Sequence, residues 1–163
     1  MDDNERTELI GPFYLEMMRT NAVENGLRLV PTIVQAARNL SSSDVIALLR
    51  IAWREKVMGA WFALTLDDES VTAAVLDALA RSCGSLDSPP LAASAVVLAG
   101  DAALPALDEY ATRDVSAGWG ACGLVAAAVE HLGRECSACL PDDDDRCAFA
   151  ALLAVALELR AAR

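Results

Sequence analysis

The segment at residues 53–66 constrains the fold most strongly, because it is apolar on two sides. Its sequence is WREKVMGAWFALTL, and its charged residues are confined to the first turn. At helical spacing, Trp53, Val57 and Trp61 share one face, whereas Phe62 lies on a second apolar face. A helix with two apolar faces has to be covered by neighbours on both sides. The segment is therefore predicted to be the central helix of an all-helical domain.

Length and composition favour the same fold class. The chain has 163 residues, a length typical of one domain with a sizeable core. Only 5% of its residues are aromatic, and alanine and leucine, which favour helices over strands, are abundant. We therefore predict an all-α fold, with a single domain at residues 1–163 and about eight or nine short helices.

The N-terminal third is predicted to supply helices that cover the central one. Residues 1–8 are polar and are expected to fray, so residues 9–52 would hold these helices. Gly11 and Pro12 would open the first of them, because proline suits the first helical position.

Two further boundaries are predicted within residues 9–52. Asn25 and Gly26 would end the first helix, and Pro31 would begin the second. Ser43 or Asp44 would cap the helix that follows. Whether residues 44–66 form one kinked helix or two helices is left open.

Residues 53–163 repeat a pattern of helix, tight turn, helix and loop, at roughly thirty residues per pair, which is typical of helical solenoids. The fragment at 95–107, AVVLAGDAALPAL, has small residues, then Gly-Asp, then an apolar second helix. It resembles the inner corner of a HEAT repeat, which implies HEAT-like antiparallel helix pairs through the C-terminal two thirds of the chain. Asp101 is expected to cap the helix after this corner, and residues 114–116 are expected to end it.

A second resemblance rests on two short sequences. They are PFYL at residues 12–15 and WREKVMGAW at residues 53–61. Together they resemble an uncharacterised bacterial family of small helical proteins of unknown function. The resemblance implies one helical domain and lends no catalytic residue to this chain.

The charge balance bears on the choice of partner. The chain has 24 acidic and 13 basic residues, a net charge of −11. Such a surface repels nucleic-acid phosphates and anionic lipid, so neither a nucleic acid nor a membrane is expected as a partner. It suits a basic protein drawn in by electrostatic steering, although acidity is also common among bacterial cytosolic proteins.

A cytoplasmic location is expected. The N-terminal sequence MDDNER lacks the basic start and apolar core of a signal peptide. The longest uncharged runs, such as residues 115–129, are shorter than a bilayer span. The cysteines, at positions 83, 122, 136, 139 and 147, are odd in number and are expected to be mostly free thiols in a reducing compartment.

The strongest candidate for chemistry is a group of potential zinc ligands. His131, Cys136, Cys139 and Cys147 lie close in sequence, and the Cys-x-x-Cys turn could present two thiolates to one ion. Only one such pair is present, however, and its spacing to the histidine matches no familiar zinc finger. Free thiols are the competing interpretation, and a redox pair at the Cys-x-x-Cys turn is a further alternative.

Other polar features are interpreted structurally. The four aspartates at residues 142–145 would complement the dipole of a last helix at 146–161, whose inward residues include Leu157. Glu130 and His131 could be half of an acid–base pair, but no nucleophile motif or phosphate loop accompanies them. The glycines at positions 118, 120 and 123 are interpreted as close-packing sites in a small-residue helix.

No segment carries a catalytic signature, so the sequence favours a non-enzymatic protein-binding module. The specific form expected is an acidic immunity-type or regulatory protein that blocks a basic enzyme, such as a nuclease toxin. A zinc- or thiol-dependent protein that uses the His131 cluster is one alternative. A structural homodimer joined through an apolar face is the other.

Overall fold

The computed structural model describes residues 2–163, and these residues fold into one all-helical domain without a β-strand. The helices are α1 (Asp3–Ile10), α2 (Tyr14–Met17), α3 (Ala22–Ala37), α4 (Ser42–Leu49), α5 (Trp53–Ala63), α6 (Glu69–Arg81), α7 (Ser88–Ala99), α8 (Leu104–Ala117), α9 (Cys122–His131) and α10 (Asp143–Ala161). Nine of them have eight residues or more, and α2 is a single turn of four residues. The predicted all-α fold class is confirmed.

Helix α5 lies at the centre of the fold, as predicted. Every residue from Val57 to Ala63 is buried. The indole N–H of Trp61 donates to the backbone carbonyl of Met17 at 3.0 Å and ties α5 to α2. Helices α1 to α4 contact α5 from the N-terminal part of the chain, and α6 and α7 contact it from the later part. The N-terminal helices therefore cover the central helix, as the sequence predicts.

The chain is helical from Asp3 onward, so the predicted fraying of residues 1–8 is wrong for the residues described, and Met1 lies outside them. The side chain of Asp2 accepts the backbone N–H of Glu5 at 2.9 Å, and the side chain of Glu5 accepts that of Asp2 at 2.8 Å. This capping box stabilises a helix start that has few apolar residues. Gly11 and Pro12 lie in the turn after α1 and do not open the first helix.

Helix α3 runs through Gly26 and Pro31, so the helix boundary predicted between them is wrong. Gly26 is buried against α10, where an added Cβ would lie 2.6 Å from a methyl carbon of Val155. This glycine therefore permits close packing of two helices instead of ending one. Pro31 lies on the exposed side of α3, where water can solvate the carbonyl that loses its N–H partner.

Residues 44–66 form two helices, with a break between α4 and α5. Ser41 is the N-cap of α4 and shares a capping box with Asp44, so the predicted cap at residue 43 or 44 is wrong by two or three positions. An added Cβ at Gly59 would lie 3.1 Å from the side chain of Leu49. Gly59 therefore lets α4 approach the central helix closely.

The junction between α7 and α8 has the predicted tight corner. Pro89 and Pro90 lie in the first turn of α7, where the fixed φ of proline suits a helix start. The chain turns at Gly100, where φ is 54°, and a short 3₁₀ turn follows. The predicted cap at Asp101 is wrong, because no side chain caps this turn.

The predicted break at residues 114–116 is also wrong. Helix α8 continues to Ala117 and ends at Gly118, whose φ of 69° lies in the left-handed region that glycine tolerates. The buried carboxylate of Asp114 accepts the backbone N–H groups of Gly120 and Ala121 at 2.8 and 2.7 Å. Gly118 and Gly120 thus belong to the link between α8 and α9 and are not close-packing sites in a helix.

The last helix begins at Asp143 rather than at residue 146, because Asp142 and Asp145 form a capping box. Helix α10 packs on α3, α7 and α9 and so brings the end of the chain back to its N-terminal part. Leu157, which is predicted to point inward, is 53% exposed. The HEAT-like pairing of residues 53–163 stays a prediction.

One stretch, Ser88–Ala117, is long and apolar enough to cross a membrane by length and composition alone. It comprises α7, the 3₁₀ turn and α8. Half of its apolar window is buried inside the domain, and buried core helices pass the same test. The stretch is therefore weak evidence for a membrane segment.

Tyr110 of α8 ties the loop at residues 82–87 to the core. Its hydroxyl donates to the carbonyl of Gly84 at 2.9 Å and accepts the hydroxyl of Ser88 at 2.8 Å. Burial raises the pKa of Tyr110 well above its ordinary value of 10.0, and the Asp114 carboxylate raises it further. The folded chain therefore retains this proton at a pH at which the unfolded chain has lost it.

The stability of the protein should fall as the pH rises above 10.0, the ordinary pKa of tyrosine. The reason is that the folded state then binds a proton that the unfolded state does not. Urea unfolding over a series of alkaline pH values measures this slope. Tyr110→Phe should reduce the slope, whereas Tyr14→Phe, a change in the chain's other tyrosine, should leave it unaltered. An undiminished slope in Tyr110→Phe would contradict this explanation.

Candidate functional site

The four potential zinc ligands lie around the connection between α9 and α10. Cys139 forms a disulfide with Cys122, at the start of α9, across a sequence separation of 17 residues. Cys136 is buried as a free thiol, whereas Cys147 is exposed on α10. Three of the five cysteines are thus free thiols, in agreement with the expectation of mostly free thiols, and the other two form a disulfide. Because Cys122 and Cys139 meet only through the packing of the 133–142 loop on α9, their spacing in the sequence did not indicate the bond.

The structure does not bring the predicted zinc ligands together. Within residues 2–163, no three His, Cys, Asp or Glu side chains form a group that could hold a metal ion. Cys139 cannot offer a thiolate while its sulfur is bonded to Cys122. We therefore propose no metal site here.

His131 packs beside an aromatic ring and does not pair with Glu130. Its ring lies 5.7 Å from that of Phe149, measured between centroids. The carboxylate of Glu130 instead accepts hydrogen bonds from Arg146 at 3.1 Å, and Arg146 also contacts Asp143 at 3.0 Å. These carboxylates, Glu130 foremost, raise the pKa of Arg146. The arrangement is an ion-pair network that links α9 to α10, with no sign of acid–base chemistry.

A groove of about 360 Å³ lies between α9 and α10, and we name it the α9–α10 groove. Its apolar lining residues are Ala127, Phe149, Ala150, Leu153, Ala154 and Leu157. At one end, the ion-pair network of Glu130 and Arg146 borders it together with His131. Leu157 lies at its edge and is more than half exposed. The groove is thus an apolar surface that the fold leaves uncovered.

Two exposed carboxylates lie on α10 beyond the residues that line the groove. Glu158 follows Ala154 by one helical turn, and Asp143 precedes Ala150 by two turns. Asp143 is 98% exposed on its side chain and is paired with Arg146, whereas Glu158 is also exposed. Among the lining residues themselves, Glu130 and Arg146 carry opposite charges, so the groove combines an apolar floor with one ion pair.

A second cavity, of about 480 Å³, lies on the other side of the first turn of α10. Glu24, Asp144 and Asp145 line it, and Arg19 is the only cation among its lining residues. Arg19 has a φ of 50°, and its backbone N–H donates to the carbonyl of Leu86 at 3.0 Å. This cavity adds negative charge to the same end of the protein as the α9–α10 groove.

Gly123 makes the close contact that was predicted for the glycines of this region. An added Cβ would lie 1.9 Å from a carboxylate oxygen of Asp145, so the end of that side chain would have to move. Gly123 therefore lets the Asp145 carboxylate, part of the capping box of α10, lie against α9.

Comparisons with known proteins give no relative from which a function could be transferred. No protein-family model, no curated protein and no solved structure matches the chain. The candidate site therefore has to be argued from its own geometry.

The α9–α10 groove was not predicted from the sequence, although one signal for it exists. Apolar residues occur almost all around α10, at positions 149–157, which is a wider distribution than one buried face requires. The sequence pattern alone did not show which of these residues neighbouring helices would cover.

The thiol content of protein purified without reductant tests the disulfide. A thiol reagent should modify the exposed Cys83 and Cys147 quickly and the buried Cys136 only after unfolding. Cys122→Ser should lower the free energy of unfolding by about 3 kcal/mol, because it releases a loop of this length in the unfolded chain. Cys83→Ser, which leaves the disulfide intact, serves as the control. Five reactive thiols in the unreduced, unfolded protein would contradict the pairing.

Proposed function

We propose that this chain is a non-enzymatic protein-binding module. Its partner would be a basic protein that inserts one amphipathic helix into the α9–α10 groove. The observation that carries the proposal is the uncovered apolar floor of this groove, on a chain with a net charge of −11. Helix-in-groove recognition uses such a surface, with apolar anchors at positions three or four apart.

The apolar part of the groove would supply most of the affinity. Leu157 is 53% exposed and borders the groove, so a partner could bury it together with Leu153. Burying apolar area from water is favourable at roughly 25 cal/mol per Å².

Charge would select the partner. The net charge of −11 steers basic proteins toward the surface and repels acidic ones. Asp143 and Glu158 would meet basic residues that flank the apolar face of the bound helix. The specific form that we propose is an immunity-type or regulatory protein that covers a basic enzyme, such as a nuclease.

Affinity capture from the native cytosol at low and at moderate salt tests this proposal with a matched pair of variants. A basic protein should be retained in a salt-sensitive manner, and its affinity for the purified chain should fall about tenfold or more in Leu157→Ser. Leu140→Ser is the control, because Leu140 is 81% exposed and lies outside the groove. Both variants should keep their thermal stability, since each changes an exposed side chain.

Two outcomes would count against the proposal. One is a captured protein that binds both variants equally, which would place the contact elsewhere on the surface. The other is a concentration-dependent mass in sedimentation that Leu157→Ser abolishes, which would make a second copy of this chain the occupant of the groove.

A further inference from the structure

A cavity of about 540 Å³ lies between the end of α4, the first turns of α5 and the second half of α6. We name it the α4–α6 cavity, and its lining residues are Leu49, Arg50, Lys56, Asp77, Ala78 and Arg81. Three of these six residues are cations, whereas the whole chain has only 13 among 163 residues. Asp77 is the one carboxylate in the lining, so cations outnumber carboxylates here, unlike in the chain as a whole.

Lys56 is the most constrained of the three cations, and it is the only lysine in the chain. Its side chain is 20% exposed, and its Nζ atom lies 3.7 Å from Oδ2 of Asp87, a carboxylate that is itself 5% exposed. Oδ1 of Asp87 accepts the hydroxyl of Ser82 at 2.8 Å. Since 3.7 Å exceeds hydrogen-bond distance, the ammonium group has no hydrogen-bond acceptor among residues 2–163. The Asp87 carboxylate therefore keeps the ammonium group of Lys56 at the cavity, and the N–H donors of Lys56 remain available to a ligand.

The two arginines differ in how they are paired. Arg81 forms an ion pair with Asp77 on the same helix, and both side chains are about half exposed. Arg50 is exposed at the C-terminal end of α4 and has no ion-pair partner within residues 2–163. The guanidinium group of Arg50 is therefore unpaired, and that of Arg81 has only an exposed ion pair, which contributes little to stability.

We infer that the α4–α6 cavity binds a phosphate group carried by a small molecule. A phosphate accepts several hydrogen bonds at once, and the planar fork of an arginine together with a lysine ammonium satisfies it well. The cavity volume lies within the range of small-molecule sites. Leu49 and Ala78 supply apolar wall for the remainder of the ligand.

The charge of the whole chain favours a small ligand over a polyanion. A nucleic acid would bring many phosphates against a surface with a net charge of −11, and the repulsion would outweigh one local contact. A small molecule with one or two phosphates meets the three cations of the cavity, whose charge the carboxylates of Asp77 and Asp87 offset only in part. This inference is independent of the α9–α10 groove, which is formed by other helices.

Acetylation of Lys56 provides the most direct test, with inorganic pyrophosphate as the probe. Because the chain has a single lysine, an amine-reactive reagent modifies only this side chain and the α-amino group, and peptide mass spectrometry separates the two. At a pyrophosphate concentration ten times its dissociation constant, mass action predicts acetylation of Lys56 to be about tenfold slower. The α-amino group should react at an unchanged rate and serves as the internal control.

Two variants locate the effect in the cavity. Arg50→Gln removes an exposed, unpaired cation and should weaken pyrophosphate binding about tenfold or more without affecting folding. Arg134→Gln removes an exposed arginine outside the cavity and should leave binding unaltered.

Three results would overturn the inference. One is that sodium chloride at matched ionic strength slows the acetylation of Lys56 as much as pyrophosphate does, because that would indicate charge screening alone. Another is that the two arginine variants weaken pyrophosphate binding equally. The third is that a single-stranded oligonucleotide protects Lys56 from acetylation at a lower total phosphate concentration than pyrophosphate does, because that would identify a polyanion site.

Discussion

The burial of helix α5 is the constraint on which the rest of the structure depends. Val57 to Ala63 have no exposed side, so helices before and after this segment have to pack around it. Each large apolar side chain that is fully buried stabilises the fold by about 1.5–3 kcal/mol, and Trp61 adds a buried hydrogen bond to Met17. The six helices that contact α5 therefore owe their positions to it. Helices α9 and α10 complete the domain from one side and keep apolar surface of their own.

The uncovered apolar surface of α9 and α10 is the feature that bears most directly on function. Leu157 and its neighbours line an apolar groove, whereas most other leucines and alanines of the chain are covered by neighbouring helices. The lining of this groove carries one carboxylate and one guanidinium, whereas cations outnumber carboxylates in the lining of the α4–α6 cavity. The two surfaces lie on different helices, and we propose different ligands for them, a basic protein for the groove and a phosphate group for the cavity.

Features that depend on neighbours in the sequence could be predicted, and features that depend on distant contacts could not. The two apolar faces of α5, the tight corner at Gly100 and the aspartates at the start of α10 are evident from local pattern. Gly26 was misinterpreted as a helix end because its role depends on Val155, far along the chain. The same reason applies to the disulfide of Cys122 and to the contact of Lys56 with Asp87, since a pattern in one segment does not show which other segment will pack on it.

Native-state hydrogen exchange, resolved to single amides, tests most directly whether the fold is organised on α5. We expect the amides of residues 57–63 to exchange only through global unfolding, with the full denaturant dependence of the equilibrium transition. The amides of α9 and α10 should exchange through smaller openings, because these helices border the uncovered groove. Exchange of the α5 amides through a local opening, while α9 and α10 remain protected, would show that the fold is not organised on α5.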